Sequence, residues 1–164
     1  MNYEEFLKNL DLKLAHYFDL HKQFIHCEAG CSACCKKGDY PLYPIELEYL
    51  MQGYISLDNA TKQIVQQNIK EMEKGGACPF LVDDKCSVYK YRPIICRVHG
   101  LAYLCKTNIV KLPYCANYGK NYSEINDKGE IELEPLFENL DTPSILNDEK
   151  FGKARNLYDW LKNS

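Results

Sequence analysis

His26-Cys27-Glu28-Ala29-Gly30-Cys31-Ser32-Ala33-Cys34-Cys35 packs four of the chain's nine cysteines into ten residues, at the spacing C-x3-C-x2-C-C. Cys78, Cys86 and Cys96 form a second group, and Cys105 and Cys115 follow. Thiols this dense in a small protein read as a disulfide framework or as a metal site. The start, Met1-Asn2-Tyr3-Glu4-Glu5-Phe6, is acidic and lacks the basic opening and apolar core of a signal peptide. No run approaches the roughly 18 apolar residues of a membrane span. The expectation is a cytoplasmic protein, where thiols stay reduced. An odd cysteine count also forbids complete pairing. Metal binding is therefore the reading preferred over disulfides.

A chain of 164 residues fits one domain. At that length about two thirds of the unfolded surface is buried. Twenty basic and 23 acidic side chains give a net charge of −3. Only Arg92, Arg97 and Arg155 are arginines, and no basic stripe suggests nucleic acid. The expected partners thus include neither nucleic acid nor membrane. The residues name no protein partner or substrate.

Working outward from the cysteine run, residues 3–25 read as an amphipathic helix, with Phe6, Leu10, Leu14, Tyr17, Phe18 and Phe24 at three- and four-residue steps. Pro44 suits the first turn of a second helix, over 44–56. Asp58 is a candidate N-cap for a third, over 58–74, and Gly75-Gly76 ends it. Cys78–Val82 and Cys86–Tyr89 flank Asp83-Asp84-Lys85 as a hairpin or knuckle-like turn. Short β-favouring runs lie near 98–104 and 109–112. Residues 117–150 are loop-rich, with a turn at Asn126-Asp127-Lys128-Gly129. A closing helix is expected over 149–162. The fold class is mainly α with a small irregular β region. It is a single domain over 1–164, with a cysteine core at about 26–116 and helices at both ends, organised around a Cys-ligated metal centre.

Structural zinc sites usually draw on two short C-x2-C knuckles. Only Cys31 and Cys34 have that spacing; the gaps Cys78–Cys86 and Cys86–Cys96 hold seven and nine residues. Consecutive cysteines have diverging side chains in helix or strand, so Cys34 and Cys35 suit two metal atoms better than one. An iron–sulfur cluster accepts thiolates from separated segments at several iron corners. The cofactor expectation is an iron–sulfur cluster ahead of Zn2+.

Cys27-x3-Cys31-x2-Cys34-Cys35, followed by Cys78-Pro79-Phe80-Leu81, Cys86-Ser87-Val88-Tyr89 and Arg92-Pro93-x2-Cys96-Arg97, resembles the YkgJ-type cysteine-cluster family of zinc- or iron-chelating proteins. The resemblance spans 27–115 when Pro113-Tyr114-Cys115 is included. It implies a cytoplasmic metal-binding domain with metal ligands among Cys27, Cys31, Cys34, Cys35, Cys78, Cys86, Cys96 and Cys115. Flagellin lysine N-methylases look similar around their cysteine motif, and there the implication is an iron–sulfur cluster. The function expected is metal binding in a structural or electron-transfer role. The alternatives are a cluster-dependent methylase or oxidoreductase, and a metal storage or delivery protein. No residue is assigned a catalytic role, and whether the chain is an enzyme stays open.

Cys27-x3-Cys31-x2-Cys34 also matches radical S-adenosylmethionine spacing. Ala33 stands where those enzymes carry an aromatic, and the chain is short for their barrel. Cys105 aligns with no motif and reads as a small buried hydrophobe beside Leu101 and Leu104. His26 reads as a hydrogen-bonding or solvent-facing group, and His99 as a neighbour of the site. His16 and His21 read as surface groups on the first helix. Arg97 could donate to thiolate sulfurs or pair with a carboxylate; Arg92 could do the former or hold its turn together.

Overall fold

The computed structural model describes residues 2–28, 30–126, 133, 137–138, 145–146 and 148–163. It is mainly helical with short strands. Two compact units arise, each from two stretches of chain: Met1–Glu28 with Arg97–Ile145, and Ala29–Cys96 with Leu146–Ser164. Among the described residues no helix is long and apolar enough to cross a membrane.

In the first unit, α1 spans Tyr3–Leu20. The Asn2 side chain caps it by accepting the Glu5 N–H at 2.8 Å, and Glu4 and Glu5 oppose the positive end of the helix dipole. Leu7, Leu10 and Leu14 are its buried stripe. The expected helix over 3–25 is shorter than its periodicity suggested. It stops at Leu20, and a 3-10 turn takes over at Lys22–Phe24. His21, expected at the surface, is instead buried at this break, where its Nδ1 meets the Tyr122 hydroxyl at 2.8 Å. Leaving the helix turns this side chain inward. Strands β4 (Tyr103–Leu104) and β5 (Val110–Lys111) pair antiparallel, and β6 (Phe137–Glu138) joins β4 in parallel. Ala102, Tyr122 and Leu133 centre a core that Phe24, Ile25, Val110, Leu112 and Ile125 pack against. Helix α6 covers Ser123–Asn126; the rest of the expected turn, 127–129, lies outside the described residues.

The second unit carries α2 (Ala33–Lys36), β1 (Pro41–Leu42), α3 (Pro44–Ile55) and α4 (Asn59–Glu71). The hairpin of β2 (Leu81–Val82) and β3 (Lys85–Cys86) follows. Helix α5 begins at Ile94 and runs to Val98, and β7 (Arg155–Asn156) leads into a last helix, Leu157–Lys162. Pro44 opens α3 as expected. Asp58 caps α4 by accepting the Thr61 N–H at 2.9 Å. Instead of one closing helix there is a short one at Asp148–Phe151, then β7, then Leu157–Lys162. β7 pairs antiparallel with β1 through Pro41↔Asn156 and Leu42↔Arg155, a long-range pairing that local periodicity does not report. The core joins Tyr40, Leu42, Leu50, Val65, Phe80, Val88 and Leu157. Gly53 of α3 lets the Tyr91 ring close on the helix, since a Cβ there would stand 2.7 Å from that ring.

Candidate metal centre

Six of the nine cysteines fall in the second unit: Cys31, Cys34, Cys35, Cys78, Cys86 and Cys96. Cys27, Cys105 and Cys115 belong to the first.

Three chain segments bring five of the six together. Cys34 and Cys35 sit on the single-turn helix α2, with the Cys35 N–H donating to Ser32 O at 2.9 Å. The second segment is the hairpin. Asp83 and Asp84 both adopt the left-handed region, at φ 49° and 58°, as a two-residue loop between right-twisted strands demands. That turn sets Leu81 opposite Cys86. The Ser87 N–H donates to Phe80 O at 2.9 Å, so Cys78 and Cys86 leave the hairpin at the same end. The third segment opens α5, where the Cys96 N–H donates to Pro93 O at 3.0 Å.

Polar contacts lock the segments to their supports. The Cys78 N–H donates to Cys35 O at 2.8 Å, tying the hairpin to α2. Lys36 Nζ pairs with Asp84 at 2.9 Å and Ser32 Oγ donates to the same carboxylate at 3.2 Å; together, Lys36 first, they hold Asp84 below the usual carboxylate range. Asn68 of α4 donates to Pro79 O at 3.0 Å. Glu46 of α3 is buried and bridges two elements: its carboxyl group accepts the Tyr43 N–H at 2.8 Å and the Ile94 N–H at 2.9 Å. Glu46 therefore aims the segment that carries Cys96. Sequence reasoning passed over it, although Pro44 followed by Glu46 at the third helical position is a capping signal.

Electrostatics couple these thiols to one another. Cys34, Cys78, Cys86 and Cys96 are each within electrostatic reach of the other three. Cys35 is within reach of Cys34, Cys78 and Cys96. Burial pushes the Cys78 thiol up to about 12, helped by Cys86 and Cys34 and opposed by the Phe80 N–H. Burial also raises Cys96, with Cys78, Cys86 and Cys34 adding to it and Arg92 opposing. Cys86 is raised by burial against the Val88 N–H and Arg92. Cys35 is raised by its S–H···S contact with Cys34, then by burial. Such thiols stay protonated unless a cation takes the proton's place, which is how metal binding and deprotonation are linked. Among the described residues no group of three or more His, Cys, Asp or Glu side chains stands ready-made around a metal ion. The thiols share electrostatic reach rather than a closed shell, and closing one requires proton loss.

The donor set fits a thiophilic metal. All five groups are sulfur, and soft thiolates suit zinc and iron–sulfur centres. The Phe80 and Val88 N–H groups, each two residues after its cysteine, favour the thiolate forms. Arg92 supplies positive charge to Cys86 and Cys96, its guanidinium stacked 3.9 Å from the Tyr89 ring centroid. Tyr40 meets the cluster from the core. Its hydroxyl donates to Cys34 O at 3.3 Å, and burial with Cys78, Cys35, Cys96 and Cys34 around it raises the phenol.

The remaining candidates divide as follows. Cys31 is exposed just before α2. Cys27 is exposed and Cys115 buried, both within the first unit. Cys105 is no buried hydrophobe: it opens the β4–β5 turn, with Sγ 3.0 Å from Thr107 Oγ1 and that contact exposed. Arg97 ion-pairs with Asp11 inside the first unit, so of the two readings for it the carboxylate partner holds. His26 pairs with Glu124 through Nε2. His99 is half-buried, with Nε2 shielded and unbonded among the described residues.

Residues 26–131 match the family CxxCxxCC, described as a putative zinc- or iron-chelating domain. No curated protein and no solved structure matches the chain.

Proposed function

Because this chain belongs to the CxxCxxCC family, we propose that its second unit binds an iron–sulfur cluster through four of the five gathered thiols. The role is structural or electron-transferring. The observation that carries the reading is the convergence of Cys34, Cys78, Cys86 and Cys96, each in reach of the other three, from segments far apart in sequence. Single thiolates arriving from separate segments suit the spread corners of a cluster. When bound, the cluster would supply one-electron chemistry or a cross-link between segments. The chain's own residues bury these cysteines in part, donate the Phe80 and Val88 N–H groups to Cys78 and Cys86, and place the Arg92 charge near Cys86 and Cys96.

One distance favours a second reading. Cys34 and Cys35 Sγ atoms are 3.8 Å apart. Two sulfurs bound tetrahedrally at about 2.3 Å to one zinc ion also stand about 3.8 Å apart. A mononuclear zinc site using both is therefore the alternative. Anaerobic purification with elemental analysis and a visible spectrum separates the two. Iron with acid-labile sulfide and a broad charge-transfer band supports the cluster. One zinc per chain and no colour supports the ion. Less than a tenth of either metal per chain overturns both. Binding of S-adenosylmethionine by the loaded protein would move the assignment to a cluster-dependent methylase.

A further inference from the structure

The stretch Arg155–Lys162 closes on the second unit through a short set of contacts. Gly152, at φ 82°, leads into it, a conformation that glycine adopts at little cost. β7 gives two residues to its pairing with β1. The helix after it is six residues long, and Asn156 caps it by accepting the Tyr158 N–H at 2.9 Å. A two-residue ladder and a helix of that length do not persist alone. What fixes them lies around β1. The Leu157 N–H donates to Tyr40 O at 2.8 Å, and the Leu157 side chain is buried in the core with Tyr40, Leu42 and Phe80. Trp160 Nε1 donates to Leu42 O at 3.0 Å, and Asn156 donates to Asp39 at 2.8 Å. Farther off, Lys162 Nζ donates to Lys70 O at 2.7 Å.

Tyr40, which Leu157 holds, is also the core residue that meets the thiols. Its hydroxyl donates to Cys34 O at 3.3 Å. Burial raises its phenol, and of the thiols around it Cys78 adds most. Cys78 and Cys86 pack against the same core that Leu157 completes. One end of the chain is thereby joined, through a single buried leucine and a tyrosine, to thiols far earlier in sequence.

We propose that Arg155–Lys162 is a strap that opens by local unfolding and, with Tyr40, controls the access of solutes to Cys78 and Cys86. Segments with few buried anchors open at less cost than the whole fold. Leu157 is the only buried residue of this one. Opening withdraws Leu157 from the core and frees the Tyr40 carbonyl, so β1 and Tyr40 lose their cover and a solute reaches the two thiols; closing restores it. The proposal concerns access to the thiols and does not depend on which metal they hold.

The test labels full-length protein, purified anaerobically and kept reduced, with N-ethylmaleimide under native conditions and reads each cysteine by mass spectrometry. Hydrogen exchange at the residue 157 N–H reports strap opening in parallel. Leu157→Ala should speed both exchange at 157 and labelling of Cys78 and Cys86 at least tenfold. Trp160→Phe, which keeps a ring but lacks the bond to Leu42 O, should speed them several-fold. Cys31, which is exposed, and Cys105, which belongs to the other unit, should label at wild-type rates. The Val65 N–H of α4 should exchange as in wild type. Faster exchange at 157 with unchanged labelling of Cys78 and Cys86 overturns the proposal, because the strap then opens without uncovering them. So does Val65 exchange that rises by the same factor as residue 157 in both variants, because the segment would then be an ordinary part of the core. Should Leu157→Ala unfold the protein, Trp160→Phe alone gives the same two readings.

Discussion

Glu46 is the residue through which the fold aims one edge of the thiol cluster, and it gives a prediction with a magnitude. Its two oxygens serve two buried backbone N–H groups, at Tyr43 and Ile94. Glu46→Ala strands both donors, and at about 1–3 kcal/mol for each orphaned buried group the loss is roughly 2–6 kcal/mol. Glu46→Gln keeps one acceptor and isolates the pH effect. Burial pushes the Glu46 carboxyl up to about 7 from an ordinary 4.5, against the pull of the Ile94 N–H. Between those values the unfolded chain has lost its proton while the folded chain keeps it. Stability from this group is therefore complete at low pH and falls as pH rises through that window, levelling above about 7. At about 1.4 kcal/mol per pH unit the fall is roughly 3 kcal/mol. Gln does not titrate, so the stability advantage of wild type over Glu46→Gln should shrink by that amount between pH 4.5 and 8. The assay is urea unfolding of both loaded proteins across that range, read as their difference so that thiol titration cancels. A difference that stays constant within about 0.5 kcal/mol, or grows with pH, would refute the assignment of a neutral, buried Glu46.

Three further outcomes follow from the same geometry. Cys78→Ser or Cys96→Ser should lower metal content several-fold by elemental analysis, whereas Cys105→Ser, outside the cluster at an exposed turn, should leave it nearly unchanged; equal losses would break the ligand assignment. Arg92→Ala should weaken metal retention and shift the visible or cobalt–thiolate spectrum, while Arg97→Ala, whose partner is Asp11, should lower stability and leave the spectrum alone. Chelating the metal from reduced protein should speed hydrogen exchange at residues 33–38 and 78–98 far more than in α3 and α4, which keep Leu50 and Val65 in an apolar core; uniform exchange with and without metal would show that metal binding and local order are uncoupled.

The elements whose causes are local could be read directly. Pro44 and Asp58 placed two helix starts because a fixed φ and a capping carboxylate act within one turn. Asp83-Asp84-Lys85 between Cys78–Val82 and Cys86–Tyr89 marked a hairpin or knuckle-like turn for the same reason, and a hairpin forms there. The thiol-rich composition and the motif spacing pointed to the chemistry of sulfur and metal. What local signals lacked was anything that acts across the chain. The helix reading over 3–25 ran past Leu20 because the pull on His21 comes from Tyr122. The closing segment broke because β7 pairs with β1 far earlier in the chain, through Pro41↔Asn156 and Leu42↔Arg155. Arg92 and Arg97 were indistinguishable by sequence, five residues apart around Cys96, until the fold gave one the thiols and the other Asp11. Sequence alone determined which atoms are available to bind a metal. Only the tertiary structure decided which of them meet, because the meeting of Cys34 and Cys35 with Cys78, Cys86 and Cys96 depends on hydrogen bonds such as Cys78 N–H to Cys35 O and Ile94 N–H to Glu46, whose partners stand more than forty residues apart.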